Sequence, residues 1–207
     1  MEITLIIFQL VVLIFSVIVH EVAHGAVAYY LGDDTAYRMG RLTVNPLKHI
    51  DPFGSIILPA ILSIPLLFGA RPIIVGWAKP VPYDPRQLKN PVSGAALIAC
   101  AGPASNIMIA VVFALALKFI AGSTALALPF QFIILINLML AIFNLVPIPP
   151  LDGSKILTAI LPAHSDTMAF LERNSLVLIL FFIIFGLPIV QAIVETLYKA
   201  LMALVGL

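Results

Sequence analysis

The feature that most constrains the fold is an apolar run of membrane-spanning length that contains two histidines and a glutamate. The run covers residues 3–31, and His20, Glu21 and His24 lie in its second half. A helix of about 20 apolar residues spans a bilayer, and ionisable side chains at that depth are costly to keep. The run therefore predicts a transmembrane helix that carries polar groups for a functional reason.

The spacing of His20 and His24 favours a metal site on this helix. Residues four apart leave the same face of an α-helix about one turn apart, so both imidazoles can bind one ion. Glu21 follows the first histidine and is placed to take a proton from a water that the metal activates. The roughly ten residues from His20 to the helix end cover about 15 Å, so the site lies inside the membrane but nearer one face. The alternative is a chance meeting of three polar residues on a buried helix.

The composition indicates that the chain crosses the membrane several times. Hydrophobic residues make up 62% of the 207 residues, and charged residues only 10%. No water-soluble domain needs that much apolar surface, so we predict an all-α polytopic membrane protein embedded in a lipid bilayer. The 11 basic and 10 acidic residues nearly balance, which gives no reason to expect a nucleic-acid partner. No basic residue precedes the first apolar run, so a cleavable signal peptide is not expected.

Other apolar stretches predict further helices. They cover residues 92–120, 129–146 and 174–207. The first has a face of small residues suited to close helix packing, interrupted by Pro103 and Asn106. The second carries Asn137 and Asn144, which are seven residues apart and therefore on one face. The third would extend roughly 50 Å, longer than a bilayer core, so we predict a break at Gly186-Leu187-Pro188.

Residues 53–69 form an apolar run that is too short and too rich in proline for a full span. Seven of the eleven basic residues lie between Arg38 and Lys89, on both sides of this run. Basic loops gather on the cytoplasmic side of a membrane. We therefore predict a re-entrant hairpin, broken near Pro59 or Pro65. The alternative is a full span with one loop that violates the charge rule.

The polar segments on either side of this hairpin predict little regular structure. Residues 38–46 alternate weakly between polar and apolar positions, which predicts one or two short strands. Residues 76–83 are stiffened by two prolines, Pro80 and Pro82, and predict an extended segment at the membrane interface. His49 and Asp51 are interpreted as part of an interfacial loop in preference to a site.

A catalytic zinc usually has three protein ligands and leaves one position for water. A downstream glutamate is nearly excluded as the third ligand, because Glu172 is the next glutamate after Glu21. The candidates are the remaining aspartates and histidines: Asp33, Asp34, Asp51, Asp84, Asp152, Asp166, His49 and His164. Four of these residues lie in polar stretches, where a solvated carboxylate is the default: Asp33, Asp34, Asp84 and Asp166.

Asp152 is the favoured third ligand. It follows an apolar helix that ends in the proline-rich break at residues 147–150, and Gly153 gives the backbone freedom there. Irregular backbone is tolerated at membrane depth where it lines a polar cavity. The alternative is that Asp152 caps a short helix over residues 154–161.

Three motifs together carry a family resemblance. They are His20-Glu21-Val22-Ala23-His24, Gly102-Pro103-Ala104-Ser105-Asn106 and Asn144-Leu145-Val146-Pro147-Ile148-Pro149-Pro150-Leu151-Asp152-Gly153. Over most of residues 10–160 the chain resembles the site-2 protease family of intramembrane zinc metalloproteases. The resemblance implies that His20, His24 and Asp152 bind one Zn²⁺ ion and that Glu21 is the general base. It also implies that Asn144 lies beside the site and hydrogen-bonds the substrate backbone.

The resemblance also implies a fold. The family has a catalytic core of three helices, in which the first two run antiparallel. In this chain they correspond to the helix with His20 and His24 (HExxH), the helix with Gly102 and Asn106 (GPxxN) and the helix that ends before Asp152 (LDG). We expect this core to be joined by the re-entrant hairpin, short strands and C-terminal helices. Better-known members have an earlier span, or a PDZ or CBS domain. This chain shows none of these, so we expect a single membrane-embedded protease domain over residues 1–207.

The expected function is hydrolysis of peptide bonds within or near the transmembrane segments of membrane-protein substrates. We expect a multi-pass protein of the cell membrane with its active site nearer the cytoplasmic face. An edge strand near residues 36–45 or 76–82 is a candidate to pair with the unwound substrate. The alternative is a membrane metal-ion transporter, disfavoured because the chain has only four histidines and one dense ligand cluster. A purely structural membrane protein is a third interpretation.

Overall fold

The computed structural model describes residues 2–51, 79–120, 124–161 and 165–207, together with Ile57 and Ile61. Its α-helices, numbered in chain order, are α1 Glu2–Tyr30, α2 Thr35–Arg38, α3 Pro91–Phe119, α4 Thr124–Asn144, α5 Asp152–Ile160, α6 Asp166–Arg173, α7 Ser175–Phe181 and α8 Leu187–Val205. Single 3₁₀ turns cover Pro46–Lys48 and Pro85–Gln87, and a π-helical turn over Phe182–Gly186 joins α7 to α8. Throughout these described ranges the regular structure is helical, as the composition predicts.

Membrane-spanning length is reached by several of these helices. The segments long and apolar enough to cross a bilayer are Thr4–Tyr30, Pro91–Phe119, Leu126–Asn144 and Ser175–Val205. In the most apolar window of each, only 17% to 33% of residues are buried inside the protein. Apolar surface of this extent is favourable in lipid and unfavourable in water. The protein is therefore a multi-pass membrane protein.

The predicted helix boundaries are close to those of the structure, with one clear difference. Helix α4 begins at Thr124, earlier than the predicted residue 129, and includes Pro129. The residues before Pro129 are mainly alanine and leucine, which favour a helix strongly. The helices predicted over residues 3–31 and 92–120 are α1 and α3.

The predicted break in the C-terminal helix is wrong. The backbone is helical from Ser175 to Val205, with the π-helical turn placed just before Pro188. A proline cannot donate a backbone hydrogen bond and crowds the preceding turn. The wider π turn accommodates that defect without ending the helix.

The strands predicted over residues 38–46 are also wrong. This stretch begins in α2, turns at Gly40, and leads into the 3₁₀ turn over Pro46–Lys48. Gly40 has a φ of 61°, a left-handed conformation that interrupts any extended ladder. The re-entrant hairpin over residues 53–69 lies outside the described residues, apart from Ile57 and Ile61.

Helix α3 is the element against which α1, α4 and α5 pack. Its predicted face of small residues is buried, at Ala99, Gly102, Asn106, Ala110 and Ala114. Helices α1 and α3 run antiparallel, because Ser16 meets Asn106 whereas His24, further along α1, meets Ile98. Small side chains on α3 permit the close approach that puts the histidines of α1 against it.

Residues 79–84, here called the strap, run beside the second half of α1. Two backbone amides hold the strap there: Val81 N–H donates to Glu21 Oε2 at 2.8 Å, and Asp84 N–H donates to Asp33 Oδ2 at 2.6 Å. Asp33 was predicted to be solvated, and this prediction is wrong. The Asp33 side chain is fully buried. Hydrogen bonds from the strap and from Thr35 replace those that water would make with its carboxylate.

Candidate metal centre

Three potential metal ligands converge where α1, α3 and α5 meet. His20 Nε2 lies 3.0 Å from His24 Nε2, and Asp152 Oδ2 lies 3.1 Å and 3.2 Å from these two nitrogens. Both histidines are buried in α1, while Asp152 comes from the start of α5. Asp152 is the first helical residue and Leu151 is the N-cap, so the alternative that Asp152 caps α5 is wrong.

The tautomer of His24 follows from its other ring nitrogen. His24 Nδ1 lies 2.6 Å from the backbone carbonyl oxygen of Ile98. A carbonyl oxygen can only accept a hydrogen bond, so Nδ1 carries the proton and donates it. A neutral imidazole with its proton on Nδ1 presents a bare lone pair at Nε2. His24 therefore directs a lone pair towards His20 and Asp152.

The tautomer of His20 is set through a chain of polar side chains. His20 Nδ1 lies 2.6 Å from Asn106 Oδ1, and Asn106 Nδ2 donates to the Ser16 carbonyl oxygen at 3.3 Å and to Asn137 Oδ1 at 2.8 Å. The Ser16 carbonyl can only accept, which fixes the orientation of the Asn106 amide. Asn106 Oδ1 is therefore an acceptor, and the His20 proton lies on Nδ1. His20 Nε2 is bare like that of His24.

Two bare imidazole nitrogens and a carboxylate oxygen thus face one another at 3.0 to 3.2 Å. Bare acceptors at this separation repel one another, and a cation between them removes that repulsion. Tetrahedral zinc with bonds of about 2.0 Å separates its ligand atoms by about 3.3 Å. The donor set and its spacing therefore fit a zinc ion. Across the described ranges, His20, His24 and Asp152 are the one convergent group of three such side chains.

Gly102 of α3 forms the wall behind the two imidazoles. A Cβ atom added at Gly102 would lie 2.5 Å from His20 Nε2 and 2.5 Å from His24 Nε2. Real Cβ atoms do not approach other heavy atoms so closely. The glycine therefore makes room for both rings where they converge.

Glu21 shares the cavity of these ligands. The cavity has a volume of about 180 Å³, and its lining includes Glu21, Val81 and Asn144 besides the three ligands. One carboxylate oxygen of Glu21 accepts the Val81 amide proton from the strap. Asn144 donates its side-chain N–H to the Leu140 carbonyl oxygen at 2.9 Å. The predicted base and the predicted substrate-binding residue thus both line the same space as the ligands.

Several of the competing ligand candidates have other partners. His49 is buried and bonds the Thr43 carbonyl oxygen through Nε2 at 2.7 Å. Asp34 pairs with Arg38. Arg86 donates hydrogen bonds to Asp84 and so holds the pKa of that carboxyl below its usual range. His164 lies outside the described residues.

Sequence reasoning missed the polar chain behind His20. Asn106, Asn137 and Ser16 lie on three different helices and are buried, and Asn137 Nδ2 also donates to Ser16 Oγ at 2.9 Å. The available signal was the presence of polar side chains on faces otherwise suited to helix packing. That signal marked Asn106 and Asn137 as unusual but did not connect them to a histidine.

We expect Asn106→Leu to weaken zinc binding by about 10- to 100-fold, the usual cost of removing a group that orients a ligand. The variant removes the acceptor for His20 Nδ1–H, so the ring loses its fixed tautomer and orientation. Asn106→Asp keeps an oxygen there and should retain more affinity. Competition with a chromophoric chelator measures both values. Unchanged zinc affinity in Asn106→Leu would contradict this role for Asn106.

Comparisons with known proteins agree with this chemistry. The model of peptidase family M50 matches residues 120–188. The chain is 38% identical over 191 residues to “Putative zinc metalloprotease YwhC” of Bacillus subtilis (strain 168), covering 88% of this chain and 81% of that protein. It is 30% identical over 145 residues to “Putative zinc metalloprotease Rip2” of Mycolicibacterium smegmatis, covering 67% of this chain and 51% of that protein. No solved structure matches significantly. The chain therefore belongs to peptidase family M50, the site-2 protease family of zinc metalloproteases.

Proposed function

We propose that this protein is an intramembrane protease that hydrolyses peptide bonds within or near the transmembrane segments of other membrane proteins. His20, His24 and Asp152 would hold one zinc ion, and Glu21 would act as the general base. The observation that carries the proposal is the convergence of three hydrogen-bond acceptors at 3.0 to 3.2 Å beside Glu21. A cation bound between these atoms makes that arrangement favourable.

The proposed chemistry divides between the ion and Glu21. A zinc ion held there supplies a Lewis acid that activates water and polarises the peptide carbonyl. Glu21 takes the proton of the attacking water and then passes it to the leaving amine. The Val81 amide occupies one oxygen of Glu21, which leaves the other oxygen for this proton. The strap thereby orients the base.

The substrate must present an unwound segment. A transmembrane helix satisfies its carbonyls through its own hydrogen bonds, so the scissile bond is accessible only after local unwinding. We propose that Asn144, which lines the cavity, binds the released backbone. Asn144 now donates its side-chain N–H to the Leu140 carbonyl oxygen of its own helix. A substrate carbonyl can replace Leu140 as the acceptor of that hydrogen bond.

The charge distribution supports an active site nearer the cytoplasm. The ligands lie towards the end of α1 that leads to Arg38 and Arg41, and near the start of α3, which follows Arg86 and Lys89. Basic residues collect at the cytoplasmic side of membrane proteins. We therefore propose a cell-membrane location with the cavity open to cytoplasmic water.

The alternative function, transport of metal ions, requires ligands along a route across the membrane. In the described parts of the chain the potential ligands converge at one place, beside a carboxylate suited to proton transfer. This arrangement favours catalysis over transport.

Mapping of products from defined peptides tests the proposal. Purified protein in lipid nanodiscs is mixed with a panel of single-span peptides, and mass spectrometry locates each cut. We expect cuts at bonds inside the apolar segment. Cuts confined to soluble flanks would indicate an ordinary endopeptidase. Zinc uptake into liposomes containing the protein, without any cleavage, would support the transporter instead.

A further inference from the structure

Lys155 lies in the wall of the same cavity, and the proposed chemistry does not use it. It follows Asp152 by three residues in α5, so the two side chains leave neighbouring positions on one face of the helix. Lys155 lines the cavity together with Glu21 and Asp152. Of the described residues that line this space, it is the one lysine or arginine. We expect a lysine in the wall of this cavity to bind an anionic group.

The ammonium group of Lys155 is held in place without being neutralised. Its Nζ lies 4.9 Å from the ring centroid of Tyr83, over the face of the ring. Tyr83 belongs to the strap, whose backbone amides donate hydrogen bonds to the side chains of Glu21 and Asp33. A ring face attracts a cation but leaves its net charge intact. In the described part of the chain no carboxylate lies within 4.0 Å of Lys155, so its charge is unpaired there.

The charges of the cavity leave Lys155 in excess. Glu21 and Asp152 contribute two negative charges, which a Zn²⁺ ion balances because neutral imidazoles add none. Attack of water on a peptide bond does not change this sum, since water and peptide are both neutral. The reaction moves negative charge from Glu21 to the attacked carbonyl oxygen but adds none, so the positive charge of Lys155 stays in excess throughout. It matches an additional negative charge brought by the substrate.

We propose that Lys155, positioned by Tyr83, forms a subsite that binds a carboxylate of the substrate peptide close to the scissile bond. The inference rests on the proposed protease function and adds a preference to it. In a peptide, such a carboxylate belongs to an aspartate or glutamate side chain or to the chain end. In a cavity partly shielded from water, a charged hydrogen bond of this kind produces about a tenfold preference or more.

A set of matched peptides tests the subsite through specificity. One cleavable single-span peptide is made with Asp, Asn or Lys at each of three positions on either side of its cut, and kcat/KM is measured for each. The wild type should favour Asp over Asn by about tenfold at one position. Lys155→Met should bring this ratio close to one, Lys155→Arg should keep it, and Lys155→Glu should favour Lys.

Two further comparisons make the specificity test decisive. Lys118→Met removes an exposed lysine at the far end of α3 and should leave the Asp-to-Asn ratio unchanged. Peptides that end two residues after the cut, as free acid or amide, report whether a chain end can supply the carboxylate. An unchanged ratio in Lys155→Met overturns the proposal. An equal loss on every peptide overturns it as well, because the role would then be structural or at the reaction centre.

Binding separates failure of the subsite from failure of the protease function. Labelled Asp and Asn peptides are titrated onto zinc-loaded Glu21→Gln protein, and fluorescence anisotropy gives each Kd. Tighter binding of the Asp peptide that disappears when Lys155→Met is added supports the subsite, even if the wild type cuts neither peptide. Equal binding and equal cleavage of both peptides overturn the subsite and leave the protease function standing.

Discussion

Glu21→Gln is expected to lower peptide cleavage by about 10²- to 10⁴-fold, the usual contribution of a general base. Glutamine has nearly the same size and keeps an oxygen that can accept the Val81 amide proton, so the strap should stay in place. It cannot take a proton from water. Initial rates on a mapped single-span peptide, together with zinc content by mass spectrometry, should therefore show a loss of cleavage with the metal retained.

The matched control for this variant is Glu172→Gln. Glu172 is exposed in α6, so its replacement by glutamine makes the same chemical change away from the cavity. It should cleave at the wild-type rate. If Glu21→Gln also cleaved at that rate, the assignment of the base would be wrong. Loss of zinc along with activity would instead show that Glu21 supports the metal site.

Gly102→Ala is expected to lower zinc affinity by about a hundredfold and to remove cleavage at ordinary zinc concentrations. The new methyl group would lie 2.5 Å from Nε2 of both His20 and His24. The rings cannot move aside freely, because their Nδ1 atoms are hydrogen-bonded to Asn106 and to the Ile98 carbonyl. Chelator competition measures the affinity, and peptide cleavage measures the activity.

Gly94→Ala provides the control for this second variant. Gly94 lies in the same helix, and an added Cβ would meet Leu88 Cδ1 at 2.9 Å, the flexible end of a side chain. Both alanine variants gain about the same helix propensity, so a difference between them reports the histidine pair rather than helix stability. Wild-type zinc affinity in Gly102→Ala would contradict the proposed position of the ion.

The sequence predicted those parts of the site that depend on local spacing. His20 and His24 are four residues apart on one helix, and helix geometry alone brings their rings together. Asp152 comes from a distant part of the chain, but the glycine and the proline-rich break on either side of it are a local pattern that favours it as a ligand. The long apolar runs predicted the four span-length helices of the described ranges for a similarly local reason, since hydropathy and length decide membrane insertion.

Features that depend on contacts between distant segments were not predicted. The burial of Asp33 requires the strap to donate a backbone amide to it, and no local pattern marks that pairing. The link from His20 through Asn106 to Asn137 joins three helices, so it exists only after they pack. The predicted break at Pro188 failed because a π turn absorbed the defect, a local option that hydropathy does not reveal.

The most direct test of the central claim is a titration of cleavage activity against bound zinc. Metal is removed from the purified protein with a chelator, zinc is returned in steps, and the rate on one mapped peptide is measured at each step. We expect no cleavage by the metal-free protein and a rate that rises linearly until one zinc is bound per chain. Cleavage at full rate by the zinc-free protein would contradict it.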